Sequence, residues 1–322
     1  MNTLKNHILS TLKSKIYWIL LVIIWLPDAP SMAQQALQFS QYFSNQLVLN
    51  PAYAGADNAL SLTAVHRNQW SGVPGAPKTA TLSGHTLFKN AHTGLGAILL
   101  LDEINIHSSL SFTGIYSYRI NINANSYINL GLQAGFNHVK SDYASLTGSL
   151  QNPNDPNILS QTVAGTAFQF GTGIYYRSPR LEVGLSSPIL YSSGLKGQNS
   201  NSDSTVQSNL SPYLFLFTRY KIDLSHRVQL HPGFLLKRKP DWPLSVDLNL
   251  DALINEVLMF GVSYRSFETI STIVQVNVLP QMKIGYSYDI PLSNMQRRDF
   301  NTHEIMINYI FHYKDYKVKS PR

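Results

Sequence analysis

The chain has 322 residues, a formal net charge of +7 and no cysteine. Only 13% of its residues are charged, against roughly 25% in soluble domains, while a mean hydropathy of −0.09 excludes a bundle of apolar membrane helices. The missing cysteine removes disulfide staples, thiolate metal sites and cysteine nucleophiles, and it suits an exported protein.

In chain order, residues 1–33 have the three parts of a secretory leader. Lys5, Lys13 and Lys15 form a basic start, Ile16 to Leu26 an apolar run, and Ser31-Met32-Ala33 a small-residue cleavage site before Gln34. The apolar run falls short of the ~20 residues a membrane anchor needs. Those three lysines against Asp28 put +2 of the charge in the leader, which leaves +5 for the rest. The remaining Lys and Arg are scattered and form no stripe interleaved with aromatics, so nucleic acid is not an expected partner.

Residues 34–57 do not read as a strand. In Asn50-Pro51-Ala52-Tyr53-Ala54-Gly55 the Pro and Gly stop one, and a plug-like segment that enters a barrel or packs below it is expected. A functional plug and a merely ordered N-terminus both stay open. For Arg67-Asn68-Gln69-Trp70 there are again two readings. Arg67 pairs within a lumen or with the plug-like segment while Trp70 anchors at an interface, or the block lines a partner-binding rim. The candidate plug or partner-binding residues are therefore Asn50, Pro51, Tyr53, Gly55, Arg67, Asn68 and Trp70.

From residue 58 onward the chain alternates apolar and polar residues with period 2. Leu244, Val246, Leu248 and Leu250 alternate with Ser245, Asp247, Asn249 and Asp251. Between 126 and 140, Ile128, Leu130, Leu132, Ala134 and Phe136 oppose Asn129, Gly131, Gln133, Gly135 and Asn137. Strands are predicted near 58–69, 77–89, 93–103, 107–121, 125–140, 165–178, 180–187, 210–222, 226–238, 243–251, 256–267, 269–279, 281–290 and 302–313. That is about fourteen, an even number, and most have the length of a tilted membrane strand. Short connections such as Ser178-Pro179 and Pro280 contrast with long polar ones at Ser141 to Ala164 and Tyr191 to Asn209, which carries Gln198 to Ser202. The fold class expected is all-β: a transmembrane antiparallel β-barrel over 58–313, followed by a basic tail over 314–322. A soluble β-sandwich is the competitor, since it alternates too. Against it stand the strand count, the strand lengths, and the aromatics near strand ends. Tyr116, Tyr118, Tyr127, Tyr175, Tyr176, Tyr286, Tyr288, Tyr309 and Phe311 are expected to form interfacial girdles. Gly131, Gly135, Gly171 and Gly173 fit either core crowding or bends at barrel corners. Even strand parity with a leader favours both termini in the periplasm.

No constellation for catalysis stands out. There is no glycine-rich phosphate loop, no HExxH and no GxSxG. The ten histidines are dispersed, and His303-Glu304 points its side chains to opposite faces of a strand, a poor chelate. Asn152 to Asn157 could hold calcium through oxygens, although an ordinary polar loop explains it as well. A barrel hydrolase would need Ser, His and an orienting group on one wall, and no spacing singles out such a set. No enzyme activity, cofactor or metal site is expected.

The blocks Gln38 to Phe43, Leu47 to Gly55, His66 to Trp70, Gly75 to Thr79, Tyr175 to Pro179, Gly184 to Pro188, Lys283 to Asp289 and His303 to Met306, in that order, resemble the PorP/SprF family of type IX secretion proteins of Bacteroidetes. The resemblance spans nearly the whole chain after the leader. It implies an outer-membrane barrel that works with the type IX export and gliding machinery, and with a secreted surface protein such as a large adhesin. It carries over no catalytic residues. One departure concerns the end of the chain: many outer-membrane barrels finish on an aromatic, whereas here Phe311 or Tyr313 is followed by the basic tail to Arg322. A FadL-like channel for hydrophobic or small solutes is the alternative function.

Overall fold

A computed structural model describes residues 39–88, 92–143, 162–193, 196–197, 212–240, 242–266, 269–292 and 301–311. The expected leader, the Asn152 to Asn157 loop, the Gln198 to Ser202 run and the basic tail lie outside the described residues.

Strands begin at β1 (Leu60–Asn68), β2 (Lys78–Leu87), β3 (Thr93–Ile104) and β4 (His107–Asn123). Next come β5 (Ser126–Asp142), β6 (Thr162–Arg177), β7 (Leu181–Ser192) and the two-residue β8 (Lys196–Gly197). The series continues with β9 (Leu214–Tyr220), the short β10 (Ile222–Asp223), β11 (Val228–Arg238) and β12 (Ser245–Ile254). It ends with β13 (Leu258–Arg265), β14 (Thr269–Leu279), β15 (Met282–Pro291) and β16 (Thr302–Phe311). Each long strand pairs antiparallel with its neighbours, β7 with β9 and β9 with β11. Leu60 opposite Phe311 through Asn68 opposite His303 then joins β1 to β16. The result is a closed ring of fourteen long strands, the number the alternation predicts. Closure is what lipid demands, because an open sheet edge would leave backbone groups unpaired in hydrocarbon.

Two details depart from the expected strands. The stretch read as 210–222 is divided at Lys221 into β9 and β10, and β10 pairs only with β11. The small β8 was not foreseen, and it pairs with Gly165 and Thr166 of β6.

The burial pattern is inverted relative to a soluble sheet. Leu82, Leu130, Leu132, Leu248, Leu250, Phe260 and Val262 are exposed, whereas Asp247, Asn249, Asp251, Ser287, Asp289 and Glu304 are buried. In β12 the apolar set faces outward and the acids face the lumen, as the period-2 pattern requires. A sandwich buries its apolar faces, so this distribution decides between the two folds. Tyr116, Tyr118, Tyr286 and Phe311 lie on the outer face. Tyr127 and Tyr175 do not belong to the expected girdle. Tyr175 is fully buried, and Tyr127 lies beneath the Arg119 guanidinium in the lumen.

The connections at 124–125, 178–180, 255–257 and 280–281 lie on one rim, where Leu60 and Phe311 also meet. The connections at 69–77, 143–161, 193–213 and 292–301 join strands at the opposite rim. The short connections at 105–106 and 266–268 also lie at this second rim, but the four longest connections all do, and long connections gathered at one end are the pattern of outer-membrane barrels. Leu248→Arg, on the outward face of the middle of β12, is expected to cost about 2–4 kcal/mol. Urea unfolding in lipid vesicles checks this, with Leu248→Phe as a near-neutral control.

Candidate functional site in the lumen

The lumen is occupied by the chain itself. Residues 39–58 form three 3₁₀ turns, at Tyr42–Ser44, Gln46–Val48 and Pro51–Tyr53, and most of this segment is buried. The Asn50 side chain starts the third turn by accepting a hydrogen bond from the Ala52 N–H at 2.9 Å, the usual N-cap device. Pro51 follows with the fixed φ that a first helical residue needs.

Contacts run all round the ring. Ser83 of β2 donates to Asn45 Oδ1, Ser117 of β4 to the Ala54 carbonyl, and Asn129 of β5 to the Ala52 carbonyl. Asn50 Nδ2 donates to the Ile174 carbonyl of β6, and Ser186 of β7 donates to the Leu49 carbonyl at 2.6 Å. The Phe43 ring meets Phe217 of β9 edge-on at 6.3 Å, and Arg265 of β13 reaches the Phe39 carbonyl. A segment held by strands on every side lies inside the ring. Apolar packing matches the polar contacts: Phe39, Tyr42, Phe43, Leu49, Ala52 and Ala56 cluster with Val65, Tyr175, Phe217, Leu235 and Met306.

Two wall glycines make room for it. A Cβ on Gly131 would overlap the Ala52 backbone, and one on Gly173 would overlap the Asn50 amide. Of the two readings of these glycines, crowding is therefore the correct one for this pair.

Arg67 forms the most connected ionic group. Its guanidinium lies 2.7 Å from Asp289 and 3.1 Å from Glu304, and it also donates to Ser40 Oγ at 2.9 Å. Ser40 Oγ in turn donates to Asp289, and the Ser40 and Gln41 amides donate to the two Glu304 oxygens at 2.9 Å. All these groups are buried. Fixed charges in such a place are tolerated only when paired and fully hydrogen-bonded, and each acid here has both an arginine and the segment as partners. Elsewhere Asp247 bridges Lys237 and Arg265, Asp251 pairs with Arg219, and Glu182 lies 3.5 Å from Arg177.

At the short-turn end, Gly55 takes φ +81°, its N–H donates to His85 Nδ1, and its carbonyl accepts from Arg119 at 2.8 Å. Tyr53 donates to Asp57 at 3.0 Å and stacks edge-on against His85 and Tyr175. Burial pushes the Asp57 carboxyl up, but hydrogen bonds from His85 and Tyr53 and the charge of Arg177 outweigh it and hold it well below the usual range.

Asn50, Pro51, Tyr53, Gly55 and Arg67 thus all belong to one lumen assembly. Asn68 and Trp70 lie at the end of β1 and just beyond it. Asn68 closes β1 opposite His303, and Trp70 follows at the long-connection rim with φ 51°, its N–H donating to Thr302. Sequence reasoning missed Ser40, Gln41, His85, Arg119, Asp289 and Glu304 as parts of this assembly. Their signal was a charged or polar residue on the polar face of an alternating strand, which gives the face but not the partner. The direction of the segment is also informative. Ser40 lies beside Arg67, Asp289 and Glu304 near the long-connection rim, whereas Asn58 contacts Arg119 near the other.

The model of the type IX secretion system membrane proteins PorP/SprF matches residues 31–309. The chain belongs to this family. Membership together with the closed strand ring makes it an outer-membrane protein of the type IX secretion system, of a non-enzymatic kind, that associates with components of that system. No functionally curated protein matches the chain. Among solved structures it is similar to the outer membrane protein Omp33 of Acinetobacter baumannii, with 12% identity and TM-score 0.46 over 80% of this chain and 100% of that one. It is also similar to the CymD monoaromatic hydrocarbon channel, with 12% identity and TM-score 0.49 over 83% and 93%. The KdgM porin gives 11% identity and TM-score 0.41 over 78% and 99%.

Arg67→Ala in this PorP/SprF-family barrel leaves two acids buried without their cation, and a loss of about 3–5 kcal/mol is expected. Adding Asp289→Asn and Glu304→Gln is expected to recover part of it. Denaturant midpoints of the refolded barrel in detergent measure both.

Proposed function

We propose that the protein handles a secreted surface protein, such as a large adhesin, at its rim of long connections, while residues 34–57 act as a plug that keeps the lumen shut. The occupied lumen is the observation that carries this reading. A barrel filled by its own chain offers rims rather than a bore as working surface. In this reading Asn50, Pro51, Tyr53, Gly55 and Arg67 hold the plug. Asn68 and Trp70 form part of the partner-facing rim, and the long connections face outward while the short turns face the periplasm.

The solute-channel alternative needs an open apolar track. The apolar lumen positions Val65, Leu235 and Phe217 are instead packed against Phe39, Tyr42 and Phe43, which speaks against it. Deletion of the gene tests the proposal: one cognate surface protein is expected to fail in display while general type IX secretion continues. Unaltered display of every surface protein contradicts it.

A further inference from the structure

A second feature lies at the rim of short turns, away from the long connections. A cavity of about 360 Å³ opens there, within the usual size of a small binding pocket. Its lining carries Arg119, Arg177, Arg180, Arg219 and Lys221 against the single carboxylate of Glu182. The end of β4 and the turn that follows it add the amides of Asn121, Asn123 and Asn125. Ala56 and Asn58 of the lumen segment also line it, so a group entering from the rim meets the segment that fills the lumen.

Part of this charge is balanced. Arg177 shares Glu182, Arg219 pairs with Asp251, and Lys221 lies 3.7 Å from the exposed Asp223. Arg119 is different. It is 6% exposed, stacks 3.9 Å from the centre of the Tyr127 ring, and donates to neutral acceptors on Gly55, Asn58 and Asn129. No carboxylate pairs with it among the described residues, and none pairs with the exposed Arg180. The Asp57 carboxylate acts on Arg119 only from beyond ion-pair distance, and a buried cation hydrogen-bonded to neutral acceptors is stabilised by an incoming anion. Guanidinium groups favour carboxylates through paired N–H donors.

We propose that this cavity docks an acidic peptide segment of a partner protein. The cations lie at two depths, Arg180 and Lys221 toward the rim and Arg119, Arg177 and Arg219 further in. That spread suits several carboxylates along one chain better than a single small anion. A blocked inner end suits a docked segment better than a passing solute. The site lies on the rim opposite Asn68 and Trp70, so it is separate from the handling of a surface protein.

The test is fluorescence anisotropy with the full chain purified in detergent and a labelled hexa-aspartate peptide with an amidated C-terminus. Saturable binding is expected, weakened at least tenfold in R180Q/K221Q and reduced by added salt. R180Q alone is expected to give an intermediate loss if the double variant folds poorly. Absence of saturable binding overturns the proposal, as does equal affinity in the variants. Full displacement of the peptide by inorganic phosphate or glycerol phosphate at matched charge makes this a small-anion site and overturns it too.

Discussion

A ring of eight strands encloses a space that wall side chains can fill, and rings of sixteen to eighteen leave an aqueous channel. Fourteen strands fall between these cases, so something besides the wall has to occupy the lumen or water will. In this protein the occupant is the chain just ahead of β1. Its buried amides and carbonyls need partners, because an unpaired buried peptide group costs about as much as a lost hydrogen bond. Short 3₁₀ turns satisfy some of them internally, and serines and asparagines of the wall satisfy others. The polar inner face of the barrel and the irregular backbone of the segment are therefore two halves of one requirement.

The same requirement explains the buried charges. Glu304 and Asp289 would be costly in a dry lumen, yet each is held by Arg67 and by Ser40. Removing the segment would strip Glu304 of two amide donors at once, so opening the lumen is coupled to an electrostatic cost at the long-connection rim.

Most of the barrel was legible in the sequence because alternation has a period of two and reports the face of every residue. Asp247, Asn249 and Asp251 could be assigned to the inner face from their spacing alone. Tyr127 and Tyr175 were misassigned although their parity already told against a girdle: Tyr127 shares a face with Asn129 and Gly131, and Tyr175 with Gly171 and Gly173. Nearness to a strand end suggests a girdle, but parity decides the face. The lumen assembly was not legible. Ser40 and Glu304 are 264 positions apart, and periodicity says which way a side chain points, never what meets it across a lumen. The glycines at 131 and 173 were visible, but only the approach of Ala52 and Asn50 explains them. The division at Lys221 has no signal in the residues around it.

The chain's lack of cysteine allows a direct test of the occupied lumen. Ser83 of β2 and Asn45 of the segment are hydrogen-bonded through their side chains at 2.9 Å, and both are buried and uncharged. N45C/S83C in native outer membranes, treated with a mild oxidant and digested with trypsin, is expected to yield one disulfide-linked pair of peptides, the first ending at Arg67 and the second beginning at Thr79. Recovery of the two peptides unlinked, with both thiols labelled by a maleimide that cannot cross membranes, would contradict a lumen filled by the chain itself.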